Sequence, residues 1–218
     1  NEVVARLKAH GIRRVVNLDL SFGKDRPWML EVLRDQADFF WNFGTVDVSR
    51  FEERDFETMV YRSITEGVRE YGMAGIKLWK PIGLGFQAKD GSYLRPDDPR
   101  LGCIFETAAQ MHIPVLFHIA DPVAFFSPAD AYNERYEELC QHPDWSFCDS
   151  KFYRFHQLME MQENLIAAHP NTTFVIAHVG SYAENLSQVA AWLDRFPNMY
   201  IDIAARISEL GRQPYTAR

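Results

Sequence analysis

Six times along the chain a short run of β-prone residues follows a stretch whose apolar side chains recur at helical spacing, and this alternation restricts the fold more than any other feature. Glu2 to His10 reads as the end of a helix closed by the His10-Gly11 pair, and "RRVVNLDL" follows as a strand. Asp25 and Pro27 announce a second helix, with Met29, Leu30, Leu33 and Ala37 on one face, ahead of the strand "WNFGTVDV". A third helix, from about Asp55 to Tyr71, leads to "AGIKLW". A fourth begins at "DDPR", where Asp98 can cap and Pro99 fits the first turn, and leads to "PVLFHI". A fifth ends at His169-Pro170 and delivers "TFVIAH", and a sixth, near Glu184 to Arg195, delivers "MYIDIA". Strands that alternate with helices in this way are parallel, in an open doubly wound sheet or a (β/α) barrel. No G-x-G-x-x-G turn follows the first strand, which counts against the dinucleotide-binding version of the former.

Nothing in the 218 residues marks a Pro/Gly/Ser-rich linker, so one domain is expected over 1–218. Its irregular stretch at about 121–153, with Phe125, Phe126, Trp145 and Tyr153, is expected to act as a lid-like insertion. A net charge of −7 argues against a nucleic-acid footprint or a polybasic membrane patch, which leaves a small molecule as the expected partner. Cys103, Cys140 and Cys148 are odd in number and lack paired spacing, so reduced thiols in a cytoplasmic protein are expected. There is no run of ~20 apolar residues and no basic-then-apolar leader. The chain opens at Asn1 without an initiator methionine, as a processed or truncated piece would.

Side chains alternate between the faces of a strand, so a polar residue ending an apolar run calls for an explanation. His118 falls in phase with Leu116, His178 with Ile176 and Phe174, Asp202 with Tyr200, and Lys77 with Gly75 and Trp79. All lie near the carboxyl ends of their strands, where parallel α/β architectures bind ligands. A lone strand-end histidine is usually a hydrogen-bonded structural residue; two at equivalent positions, with Lys77 and Asp202 on the same rim, make a candidate site. Asp202 is either catalytic or a loop-anchoring carboxylate. Asn17 and Asp19, with His10, His112 and His169 at helix-to-strand joints, read as structural.

"GIKLW" at Gly75 to Trp79, "PVLFHIADP" at Pro114 to Pro122, "HPNTTFVIAHVGS" at His169 to Ser181 and "NMYIDIAAR" at Asn198 to Arg206 together resemble the amidohydrolase superfamily. The branch is amidohydrolase-2, related to aminocarboxymuconate-semialdehyde decarboxylase, and the resemblance covers most of the chain. It implies a TIM-type (β/α)₈ barrel whose metal site takes a His-x-His pair from the first strand, a histidine from the fifth and an aspartate from the eighth. His118 would be the fifth-strand metal ligand. His178 would be the sixth-strand histidine, which in mononuclear members handles the metal-bound water or polarises substrate and in binuclear members binds the second metal. By the same count the chain opens in the helix after the first strand and stops past the seventh, so an incomplete barrel of about six parallel strands is expected. It contains no His-x-His pair, and the eighth-strand aspartate is missing unless "MYIDIA" is the closing strand and Asp202 the metal ligand.

The resemblance further implies a divalent metal, zinc with manganese as the alternative, or none in a chain short of three ligands. The implied activity is a metal-dependent hydrolase acting on a small acidic or cyclic ester, lactone or amide. His178 and Asp202 would be catalytic, and Lys77, Trp79 and Arg206 would bind substrate. The rivals are a non-oxidative decarboxylase on the same site and a catalytically incomplete barrel fragment. Open strand edges predict a homodimer or higher self-association.

Overall fold

The computed structural model describes residues 2–18 and 36–213. Helix α1 (Glu2–Ala9) leads into β1 (Val15–Asn17). The helix expected from Asp25 lies almost wholly outside the described residues, as does Asp19, and the chain resumes toward β2 (Phe40–Gly44). Then come α2 (Phe56–Tyr71), β3 (Gly75–Leu78), α3 (Gly102–Gln110), β4 (Val115–Phe117), α4 (Tyr136–Gln141), α5 (Phe155–Ala168), β5 (Phe174–Ile176), α6 (Leu186–Arg195), β6 (Met199–Ile201) and α7 (Ile207–Arg212).

The six strands form one sheet in the order β1-β2-β3-β4-β5-β6, with every neighbouring pair parallel. A doubly wound sheet reverses its strand order at a switch point. Here each strand is laid beside its predecessor without reversal, which is the winding of a (β/α) barrel, and six strands make an incomplete one.

Helices form where the apolar stripe meets good stop signals. In α2, Phe56, Val60 and Ile64 recur every four residues and are buried, and Gly72 ends the helix at φ 64°, with its N–H bonded to Gly67 O. The α3 region starts as expected: the Asp98 carboxylate accepts the Arg100 N–H at 2.9 Å, and Pro99 opens the first turn. At the amino-terminal end of the sheet, Asn198 Nδ2 donates to the carbonyls of His169 and Thr172 at 3.1 and 3.0 Å, and Thr172 Oγ1 donates to Phe105 O at 2.9 Å. Those bonds fix the floor of the fold and leave the opposite rim to carry chemistry.

Strand register divides the sheet into two faces. Ile76, Val115, Phe174 and Met199 are register partners, as are Leu78 and Phe117 with Ile176, and all belong to the main core against the helices. Lys77, Leu116, Val175 and Tyr200 form the alternate row on the concave face. A smaller cluster there joins Phe43, Leu116 and Ala177. Gly75 is required: a Cβ at this position would stand 2.3 Å from the Phe43 ring lying across it. The segment 121–153 packs onto the main core through Phe125, Phe126, Leu139 and Phe147.

Candidate active site at the carboxyl rim

The rings of His118 and His178 meet edge to face, their centroids 4.5 Å apart, where β4 and β5 end. Strand phase alone would not bring them together. His118 follows Leu116 on the concave face, but Ile176 points into the helix-side core, so continued strand would aim His178 away. The backbone changes hand instead. His178 (φ 59°), Val179 (φ 60°), Gly180 (φ 67°) and Ser181 (φ 62°) are all left-handed, and the turn swings the imidazole back over the rim. Left-handed conformation costs an L-residue roughly 1–2 kcal/mol, and for a β-branched residue such as Val179 it is a true outlier.

What holds this turn is a set of bonds to its backbone. Asp202 Oδ1 accepts the His178 N–H at 2.9 Å and the Ala204 N–H at 3.0 Å, while Asp202 O accepts the Val179 N–H at 2.7 Å. Gln162, fully buried on α5, donates Nε2 to Gly180 O at 3.2 Å. Ser181 Oγ accepts the Ala120 N–H at 3.4 Å and so ties this turn to the loop behind His118. Strained backbone retained by several partners is a feature that clusters at active sites and switch regions.

The two imidazoles carry their protons differently. His178 Nδ1 lies 2.8 Å from Ala204 O; a carbonyl can only accept, so Nδ1 is the protonated nitrogen and Nε2 keeps a lone pair. Burial, followed by the neighbouring His118, outweighs the Ala204 bond and Asp202 and lowers the His178 pKa, which keeps the ring neutral near pH 7. His118 Nε2 instead lies 3.1 Å from Asp121 Oδ1, and the other oxygen of Asp121 takes Lys80 Nζ at 2.6 Å. Burial alone would raise the Asp121 carboxyl; the bonds from His118 and Lys80 prevail and hold it below the ordinary carboxylate range. Lys80 also faces the rings of Trp145 and Phe147, at 5.7 and 5.5 Å.

Lys77 is 9% exposed on the concave face, one pleat below His118 on the adjacent strand. Burial draws its pKa down to about 8, against the opposing pull of Asp202. Trp79 stands at the same strand end, 45% exposed. Arg206, at the start of α7, is buried at 6% exposure. Its Nη1 donates to Ala205 O at 3.2 Å, and its buried Nε has no partner. The structure thus gathers His118, His178 and Asp202 into one patch, with Lys77 and Arg206 near enough to feel Asp202 and to act on His178 respectively.

Asp121 and Lys80 escaped sequence reasoning. Their signal was the H-x-x-D spacing inside "HIAD" and a second lysine just past "GIKLW", but pairing across 41 residues is a tertiary fact. The expectation of free thiols is matched at Cys103, Cys140 and Cys148. No helix among the described residues is long and apolar enough to cross a membrane.

As a metal site the patch is partial. His178 Nε2 and the remaining nitrogen of His118 are two fitting donors, whereas catalytic zinc sites usually take three from the protein. Among the described residues no group of three or more His, Cys, Asp or Glu is arranged to hold a metal ion.

Comparison with solved structures gives the same architecture at low identity. 2,6-Dihydroxybenzoate decarboxylase from Rhizobium matches with a TM-score of 0.58 at 15% identity, covering 94% of this chain and 69% of that one. Dihydroxybenzoic acid decarboxylase from Polaromonas sp. JS666, with bound manganese and 2-nitroresorcinol, matches at 0.57 and 15%, covering 92% and 66%. A TIM-barrel protein of Bordetella bronchiseptica matches at 0.53 and 14%, covering 92% and 58%. These likenesses show the fold, that of an incomplete TIM barrel, with this chain spanning from somewhat over half to about two thirds of each neighbour's length. No curated protein matches by sequence. The amidohydrolase family model, however, matches residues 3–218, and with a site at the carboxyl rim of a parallel barrel sheet the chain belongs to the amidohydrolase family, in its amidohydrolase-2 branch.

Proposed function

We propose that this rim is the acid–base and carboxylate-recognising part of an amidohydrolase-type active site that cleaves an ester, lactone or amide in a small carboxylate-bearing substrate. The observation that carries it is the His118–His178 pair: two imidazoles 4.5 Å apart whose partners fix opposite tautomers. Neutral His178, with Nε2 bare, can take a proton from an attacking water and return it to the leaving group, the double role general acid–base catalysis requires. Lys77, when protonated, and Arg206 supply cationic donors for the substrate carboxylate. Trp79 offers an exposed ring beside them, and Asp202 acts by holding His178 in place.

His118, through its remaining nitrogen, would contribute a ligand to a divalent cation, zinc or manganese, and His178 Nε2 a second one where it does not serve as the base; when bound, such a cation supplies Lewis-acid polarisation and an acidified water. Manganese in the Polaromonas decarboxylase supports a cation of this kind. The segment 121–153, whose Trp145 and Phe147 sit against Lys80, serves as the lid.

A second reading is favoured by the concave floor. Phe43, Leu116 and Ala177 make it apolar, and a desolvated carboxylate is primed to leave as carbon dioxide. Likeness to two decarboxylases of dihydroxybenzoates supports non-oxidative decarboxylation of an aromatic acid. Carbon dioxide release from hydroxylated benzoates, assayed beside an ester, lactone and amide panel with Zn²⁺ or Mn²⁺ supplied, separates the two. Turnover of either panel that survives His178→Ala overturns the assignment of His178.

A further inference from the structure

Lys77 is anomalous among the lysines of the described residues. Its near neighbour Lys80 is ion-paired with Asp121, and Lys8, Lys89 and Lys151 are exposed. Lys77 is nine-tenths buried, yet among the described residues its ammonium has no hydrogen-bond or ion-pair partner. The strand leaves no room for it to retreat: Leu116 is its register partner, and the Phe43 ring lies over Gly75, the preceding residue on the same face. Its Cα lies one pleat (roughly 7 Å along the strand) below the level of His118, and its amine is under the influence of Asp202. A desolvated amine at the mouth of an acid–base site is the arrangement by which lysines become nucleophiles toward carbonyl carbon.

We propose that Lys77 captures the carbonyl of an oxo-carboxylate as a covalent imine. The Nζ lone pair forms a bond to the carbonyl carbon while the C=O π pair moves to oxygen, which takes up a proton. The Nζ lone pair then forms the C=N bond as the C–O bond breaks and the oxygen, taking a second proton, leaves as water; the two protons the oxygen gains match the two that Nζ gives up. Nothing is oxidised or reduced, and addition of water reverses the sequence. His178, at the same rim, is the base we assign to carry those protons. A pKa near 8 leaves on the order of 10²-fold more free amine at pH 7 than an ordinary lysine has. The proposal goes beyond the hydrolytic reading, because His178-assisted hydrolysis needs no covalent bond to Lys77.

The test is reductive trapping. The full chain is treated at pH 7 with glyoxylate, which joins a carbonyl to a carboxylate, then with borohydride, and its peptides are mapped by mass spectrometry. Lys77 is expected to be modified at least tenfold faster than Lys8, Lys89 and Lys151. Equal labelling of all four, or labelling that spares Lys77, overturns the proposal. Because the comparison is internal to the wild-type chain, it does not depend on the folding of a variant. In Lys77→Arg the fast phase is expected to vanish while the slow surface labelling persists; a fast phase that survives there also overturns it. Neither failure touches the hydrolytic reading, which is judged by turnover on the ester, lactone and amide panel.

Discussion

His118 and His178 end successive strands in nearly the same local sequence grammar, "VLFH" and "VIAH", yet the protein secures them by opposite means. His118 leaves β4 on the face its phase dictates, and side-chain charges orient it: Asp121 at 3.1 Å, backed by Lys80. His178 leaves β5 on the wrong phase and is turned around by backbone, through left-handed residues whose N–H groups Asp202 collects. The difference teaches that a charge network tunes one ring while a strained turn places the other. The first should respond to pH, the second to loss of its anchor.

The sharpest way to break that contrast is to remove the anchor. Asp202→Ala deletes the acceptor of two backbone N–H bonds, each worth about 1.5–3 kcal/mol when the partner is charged, so a loss of about 3 kcal/mol is expected in urea unfolding. Asp202→Asn, which keeps an acceptor oxygen, should restore more than half of it. Equal losses in the two variants would show that charge, rather than the backbone bonds, matters at β5.

Lys77 lies between the two arrangements and should be a cost to folding. Its folded pKa, about 8, is below the 10.5 of an ordinary lysine, so from pH 8 to 10.5 the unfolded chain binds more protons and stability rises with pH. Lys77→Met should abolish that rise and stabilise the protein at pH 7 by about 2 kcal/mol, given ~1.4 kcal/mol per tenfold change in proton affinity and some relaxation. Thermal melts across pH 7–10.5 measure both effects, and a slope that persists in the variant would place its origin elsewhere.

Asp121→Asn probes the charge network. Since the Asp121 pKa is depressed in the folded state, its contribution is present above the ordinary carboxylate value and is lost as pH falls through the folded one. The variant should be about 1 kcal/mol less stable at pH 7 and no different from wild type once the carboxyl is protonated. A gap that is constant with pH would indicate packing instead.

The smallest effect is the most direct. Nitrogen NMR of the imidazoles should show His178 protonated on Nδ1 and His118 on Nε2, with His178 neutral at pH 7. The same tautomer on both rings would erase the distinction drawn between the two strand ends.

Much of the frame was legible. The Asp98 cap, the α2 stripe of Phe56, Val60 and Ile64, and the strand runs at residues 75, 115, 174 and 199 are local signals that the fold kept. That the two histidines share a rim was legible as well, but on reasoning that held for only one of them. Alternation places His118 and Asp202 on the concave side and would have placed His178 with Ile176 among the helices. Nothing in "AHVGS" announces a left-handed turn, since valine is a poor occupant of that conformation.

The chain by itself determined the alternation of helix and strand along the described residues, roughly where the strands fall, though "WNFGTVDV" reads as strand to Val48 while β2 stops at Gly44, and which polar residues crown the strands, because apolar period and capping chemistry act over a few neighbouring residues. Only the tertiary structure decided that the strands lie in unbroken order, that Asp202 reaches back 24 residues to reverse the hand at His178, and that Lys80 and Asp121 join across 41 residues to hold His118. Those bonds form between groups distant in sequence, and their energy must exceed local strain and desolvation that no short stretch could offset alone.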